Sequence, residues 1–185
     1  MIGIGSKMKS KRSTLLATVI ALMATGCVHS ASKDTVVASA SLADAQNRPS
    51  GSASIYRLEN GYTLKVQPTG LAPGKYGMHL HQIGKCDAPE FSSAGAHWNP
   101  LGRKHGLANT AGPHAGDLPE LVVNSGGVGT TSVNLDINLI GGNNALMDAD
   151  GAAIIIHAKP DDNLTDPSGN SGARILCGVL REKAG

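Results

Sequence analysis

Six of the seven histidines in this chain fall into one pattern. His79 and His81 lie two apart. His97, His105 and His114 follow in a glycine-rich stretch that closes with Asp117, and His157 ends an apolar run far downstream. Imidazole is the commonest protein ligand for copper and zinc, and a carboxylate also suits zinc. Six imidazoles and one carboxylate are too many for one tetrahedral ion and enough for two. The pattern therefore predicts a two-metal centre. A lone histidine is read as a surface or hydrogen-bonded residue, and isolated His29 is read that way. A spaced pair, a triad with its own acid and a distant strand-end histidine together argue against chance.

The elements that must carry these residues read as β-strands. Period-two alternation predicts strands over 35–42, 53–58, 62–67, 75–83, 120–123, 128–137, 152–158 and 173–180. Glu59-Asn60-Gly61 closes a hairpin between the second and third, and Asn124 to Gly127 is another turn. Eight short strands with glycine-rich turns imply an all-β sandwich or barrel. In Met78-His79-Leu80-His81 the apolar pair faces one side and both histidines the other. His157 likewise shares a face with Ile155, opposite Ile154 and Ile156. The metals should then sit outside the barrel wall, roofed by loops. Residues 84–119 and 160–172 have no strand or helix period, and a loop of the first one's length needs pins. Its histidines, Asp117 and Cys86 supply them. Asp148 and Asp150, in the irregular stretch 139–151, read as turn acids.

Bulk properties fit this picture. Aromatics are 3% of the chain and glycines number 24, which suits turns and small-residue strands better than helices. The formal charge of +2 includes Lys7, Lys9, Lys11 and Arg12, which belong to an export signal. Setting those four aside from the 16 basic residues leaves 12 against 14 acidic, near −2. No basic patch calls for nucleic acid, and no further apolar run could span a membrane. The signal covers 1–27: basic residues, then apolar Leu15 to Met23, then Ala24-Thr25-Gly26-Cys27. Met8 is an alternative start to Met1. Small residues before Cys27 resemble a lipobox, with Ala24 where leucine is usual, so Cys27 is the lipidation candidate and a membrane tether follows from it. The alternative is a plain signal cut nearby. Residues 28–35 read as a tether and 36–183 as the folded domain. The expected location is the periplasm or the outer membrane. Cys86 and Cys177 then remain as an even pair, bridged or as two buried thiols, and export favours the bridge.

Gly77 to His81, Ser93-Ala94-Gly95-Ala96-His97-Trp98-Asn99-Pro100, Lys104-His105-Gly106, His114-Ala115-Gly116-Asp117-Leu118, His157-Ala158-Lys159-Pro160-Asp161-Asp162 and Gly172-Ala173-Arg174-Ile175-Leu176-Cys177-Gly178-Val179 together resemble the copper,zinc superoxide dismutases. The likeness is to the exported bacterial type and covers about 36–182 in order. It implies an eight-stranded antiparallel Greek-key barrel with long metal-binding and electrostatic loops. That family is a standard example of a sandwich architecture, of charge steering and of near-diffusional rates; these are properties of the family rather than readings of this sequence.

By position, the resemblance implies copper at His79, His81, His97 and His157. It implies zinc at His97, His105, His114 and Asp117, with His97 bridging both ions. Arg174 matches the family's active-site arginine, and Asp161 the carboxylate that orients a copper and a zinc histidine. Cys86–Cys177 matches the family's intrasubunit disulfide. The implied activity is disproportionation of superoxide to oxygen and hydrogen peroxide, with His97 taking up and delivering a proton. Trp98 and Ala96 depart from the family's usual residues beside the bridging histidine. The steering residues of animal homologues do not map onto 163–171, leaving Lys85, Arg103, Lys104, Lys159 and Arg174 as candidates. Two other classes are a non-catalytic copper/zinc-binding homologue and an adhesion-type sandwich with incidental histidines. A monomer and a homodimer both fit.

Overall fold

The computed structural model describes residues 1–3 and 34–183. Most of the signal segment, Cys27, His29 and most of the tether lie outside the described residues. The chain divides into two units, Met1–Ala31 and Ser32–Gly185, and the second carries every element below.

That unit is all-β. The strands are β1 (Thr35–Asp44), β2 (Pro49–Leu58), β3 (Gly61–Pro68), β4 (Gly74–Tyr76), β5 (Met78–His81), β6 (Leu121–Val123), β7 (Thr131–Leu135), β8 (Ala152–His157) and β9 (Arg174–Glu182). A single 3-10 turn, Ser92–Ala94, interrupts the long loop. Seven strands form one curled antiparallel sheet in the order β5-β8-β9-β1-β2-β3-β7, while β4 pairs with β6. Strands β3 and β7 are neighbours although β4, β5 and β6 intervene in sequence, and β9 returns to pair with β1. These are Greek-key crossings.

Alternation sets the two faces. Ala152, Ile154 and Ile156 of β8 pack with Met78 and Leu80 of β5 in the main core, beside Leu42, Ile55, Leu64 and Leu176. Each fully buried aliphatic side chain here contributes roughly 1.5–3 kcal/mol. On the opposite face Ala153 and Ile155 join Phe91, Ala94 and Cys177 in a smaller cluster under the long loop. A loop that could not bury a core of its own thus gains a patch of sheet to sit on.

Two strand assignments need correction. The run 75–83 is two strands, because the chain changes sheets at Gly77. Gly77 accepts from the His157 amide and donates to the Lys159 carbonyl, both at 2.8 Å. A Cβ there would lie 2.8 Å from that of Ser171, so only glycine allows this close crossing. The strand expected over 128–137 shortens to Thr131–Leu135. The turn at Asn124 forms as read, but β6 and β7 belong to different sheets; an isolated bridge pairs Val123 of β6 with Gly129, ahead of β7. Asp148 and Asp150 are turn acids as expected: the Asp148 carboxylate accepts the Asp150 amide at 3.0 Å.

Candidate metal centre

Strand β5 places His79 and His81 on the face away from the main core, β8 ends with His157 beside them, and β9 begins with Arg174, paired to His157. The loop before β6 is stitched to this edge. The Leu80 amide donates to the Gly116 carbonyl, Gly116 to Trp98 and Trp98 to Leu80, and bridges join His79 to Asp117 and His81 to His97. Trp98 is buried against the core, so it anchors the loop bearing His97; Ala96 is exposed and its carbonyl accepts the Gln82 amide. The Cys86–Cys177 bridge is present, with Cα atoms 5.7 Å apart, and ties the start of this loop to β9. All six histidines of the pattern are buried.

Four ring nitrogens among them have no hydrogen-bond partner: Nδ1 of His79 and Nε2 of His81, His97 and His157. These four residues place one ring nitrogen each within 4.8 Å of all the others. An unpaired buried polar atom is costly, so four pointing together call for a common partner. The opposite ring nitrogens are all held. His81 Nδ1–H donates to the Gly95 carbonyl at 3.0 Å, His157 Nδ1–H to the Gly172 carbonyl at 3.1 Å, and His79 Nε2–H to Asp161 Oδ2 at 2.6 Å. These bonds fix the tautomers that leave the inward nitrogens as lone-pair donors. Burial pushes the histidines' pKa values down, to about 2 at His81, about 3 at His157 and about 4 at His97. The nearby Arg174 charge adds to the effect at His81 and His157. The rings are therefore neutral, as metal ligands must be.

A second group meets at Asp117 Oδ1. His97 Nδ1 lies 2.9 Å from it, His105 Nδ1 3.1 Å and His114 Nδ1 3.2 Å, while His114 Nδ1 and His97 Nδ1 are 3.4 Å apart. Three ring nitrogens on one carboxylate oxygen exceed what its lone pairs can accept. Donors about 2.0–2.1 Å from a tetrahedral zinc stand about 3.3–3.4 Å from one another. The observed separations bracket that edge, so a cation at the centre accounts for the cluster. Asp117 Oδ2 accepts the Gly106 and His114 amides at 2.8 and 3.0 Å, leaving Oδ1 free to point inward. By separation alone His79, His97, His105 and Asp117 also group within 4.8 Å. His79 is the poorer fourth donor, because its Nε2 is committed to Asp161 and its Nδ1 belongs to the first group. His114 completes the second.

Asp161 joins the groups. Its Oδ2 takes the His79 ring proton, and its Oδ1 takes His105 Nε2–H at 3.0 Å and the Asn163 amide at 2.6 Å. Asp161 thus bonds a histidine of each group and, through the Asn163 amide, its own turn. A side chain at Gly169, whose φ is +60°, would run into the Asp161 carboxylate and the His105 ring. Between two carboxylates His105 is pushed up to about 9: burial opposes the charge, and the hydrogen bonds to Asp117 and Asp161 outweigh it.

Arg174 is half-buried, with Nη1 donating to the Phe91 carbonyl and Nη2 to the Gly95 carbonyl, each at 2.7 Å. Gly95 O thus links Arg174 to His81. Of the other basic candidates, Lys85, Arg103 and Lys159 are exposed. Lys104 is exposed as well, and its Nζ pairs with Asp166 Oδ2 at 2.9 Å, which offsets part of its pull on an anion. Sequence reasoning missed the carbonyls of Phe91, Gly95 and Gly172. Any residue type carries a carbonyl, so no side-chain pattern could have announced them.

A Greek-key β-domain with a histidine-rich pair of metal-binding groups, sharing one ring, defines a two-metal protein class. The chain belongs to the copper/zinc superoxide dismutase family, whose model matches residues 49–180. Superoxide dismutase [Cu-Zn] 1 of Aquifex aeolicus is 41% identical over 134 residues, covering 71% of this chain and 79% of that protein. The superoxide dismutase-like protein YojM of Bacillus subtilis is 45% identical over 125 residues, 66% of this chain and 64% of that one. A crystal structure of a SOD-like protein from Bacillus subtilis superposes with a TM-score of 0.73 at 40% identity, covering 77% of this chain and 97% of the other. The family uses copper and zinc, and both histidine groups here are able to hold such ions.

Proposed function

We propose that the protein disproportionates superoxide to oxygen and hydrogen peroxide. The observation that carries this reading is the set of four inward, unpartnered ring nitrogens next to a fixed arginine. His79, His81, His97 and His157 are the copper ligands, and His97, His105, His114 and Asp117 the zinc ligands. A copper ion held there would supply one-electron redox chemistry. The chain supplies everything else. Arg174 has five N–H donors and spends two groups on carbonyls, so its guanidinium stays put and offers the remainder to an anion. His97 Nε2 would hand the peroxide product one of the two protons it needs, the second coming from solvent, while its Nδ1 stays in the second group. Asp161 keeps the His79 and His105 rings from turning. The test is the dismutation rate of the oxidised protein reconstituted with copper and zinc. Turnover that disappears when copper alone is withdrawn is the expected result; stoichiometric metal without turnover overturns it.

A non-catalytic metal-binding role is the second reading, favoured by the existence of a relative called superoxide dismutase-like. The complete histidine set and anchored Arg174 support the catalytic one. We also place the protein outside the cytosol, anchored through Cys27 or free in the periplasm. The disulfide supports export, because such bridges persist in oxidising compartments.

Two variants separate the roles. Arg174→Ala lowers the bimolecular rate at least about tenfold and flattens its dependence on ionic strength, with copper still bound. Stopped-flow rates across a salt series check this, and loss of copper instead would make Arg174 a structural residue. Asp117→Ala removes a ligand and the acceptor for two amides. Zinc affinity in a chelator competition falls by more than about 100-fold, beyond the loss typical of an outer partner. Unchanged affinity removes Asp117 from the ligand set.

A further inference from the structure

Every buried histidine that serves only one metal group has its outer ring nitrogen held by a short hydrogen bond, except one. His79 and His105 are held by Asp161, His81 by Gly95 O and His157 by Gly172 O. His114 has no such bond; the group facing its Nε2 is Asp166 Oδ1, at 3.8 Å. Asp166 lies on the other long loop. Its Oδ1 accepts the His105 amide at 2.8 Å, and its Oδ2 pairs with Lys104 at 2.9 Å. The turn that presents it is built by Asp162, whose Oδ1 accepts the Leu164 and Thr165 amides at 2.9 and 2.8 Å. One carboxylate therefore grips the main chain of one zinc-group histidine and faces the ring of another.

We infer that Asp166 is a positioning residue for the zinc group: it draws His114 Nε2–H toward Oδ1, so that Nδ1 stays aimed at Asp117 Oδ1, and it docks the 160–172 loop on the His105 segment. Asp161 holds His79 and His105 by hydrogen bonds, whereas Asp166 acts on His114 by charge across 3.8 Å and through its grip on the His105 amide. The inference rests on the zinc assignment above. Outer partners of this kind are worth about 10–100-fold in metal affinity when removed.

Cobalt(II) in place of zinc provides the readout, because its d–d absorption reports the ligand geometry directly. Zinc and cobalt affinities and the cobalt spectrum are measured in the copper-loaded protein, in Asp166→Ala, in Asp166→Asn and in Lys104→Ala. Asp166→Ala loses about 10–100-fold in zinc affinity and shifts or broadens the cobalt bands. Asp166→Asn, which keeps an acceptor oxygen, recovers much of both, and Lys104→Ala leaves both unchanged. An Asp166→Ala protein with native affinity and spectrum overturns the inference alone. Equal losses in Lys104→Ala also overturn it, since the ion pair and not the His114 contact would then matter. A wild-type protein that takes up no zinc or cobalt overturns the zinc assignment and this inference with it.

Discussion

His157→Ala abolishes dismutation and lowers copper affinity by more than about 100-fold, while zinc binding stays within a few fold of wild type. The asymmetry follows from geometry. His157 Nε2 belongs only to the first group, and its Nδ1 is spent on the Gly172 carbonyl, so the ring makes no contact with Asp117. Removing a ligand costs more than removing an outer partner, hence a loss beyond the usual 10–100-fold. The fold should survive, because the ring packs under a loop and not within the main core of Ile154, Ile156 and their neighbours. Competition titrations with a copper chelator and a zinc chelator, alongside the dismutation rate, check all three statements. Retained activity would remove His157 from the copper set.

Reducing the Cys86–Cys177 bridge lowers both stability and rate. The bridge spans 91 residues, and the chain-entropy model assigns such a loop about 4–5 kcal/mol. Denaturant unfolding of oxidised and reduced protein, with metals loaded in both, measures the difference. The rate falls for a separate reason. The segment after Cys86 carries the Phe91 and Gly95 carbonyls that fix Arg174, and Cys177 lies on the strand that Arg174 begins. Loosening that segment frees the guanidinium and the His81 ring together. A fall of about tenfold or more corresponds to losing one charged hydrogen bond of about 1.5 kcal/mol. Coincident unfolding curves and equal rates would show that the loop is held by the Phe91–Ala94–Ile155 cluster alone.

The strands bearing the histidines were legible because burial on one face imposes a strict alternation: Met78 and Leu80 in, His79 and His81 out, Ile154 and Ile156 in, His157 out. The metal-ligand candidates were legible because histidine and aspartate are chemically conspicuous. The break at Gly77 was not, since a strand that changes sheets keeps its own alternation and only the neighbour at Ser171 reveals the crossing. The tautomer-setting carbonyls were silent for the same reason that any main-chain acceptor is. The partner of Lys104 was not legible, because Asp166 lies 62 residues away on a loop with no periodicity to place it. Asp161 shows the intermediate case: the family resemblance alone suggested a carboxylate between two histidines, and the fold shows the same carboxylate bonding His79, His105 and the amide of its own turn.

The central claim is that two metals share His97 and divide the remaining ligands between them. Anomalous diffraction at the copper and zinc absorption edges, from one crystal of the reconstituted protein, tests it directly. The account predicts a copper peak among His79 Nδ1 and the Nε2 atoms of His81, His97 and His157, and a separate zinc peak among the Nδ1 atoms of His97, His105 and His114 and Asp117 Oδ1. Both metals in one group, or a copper peak away from His157, would contradict it.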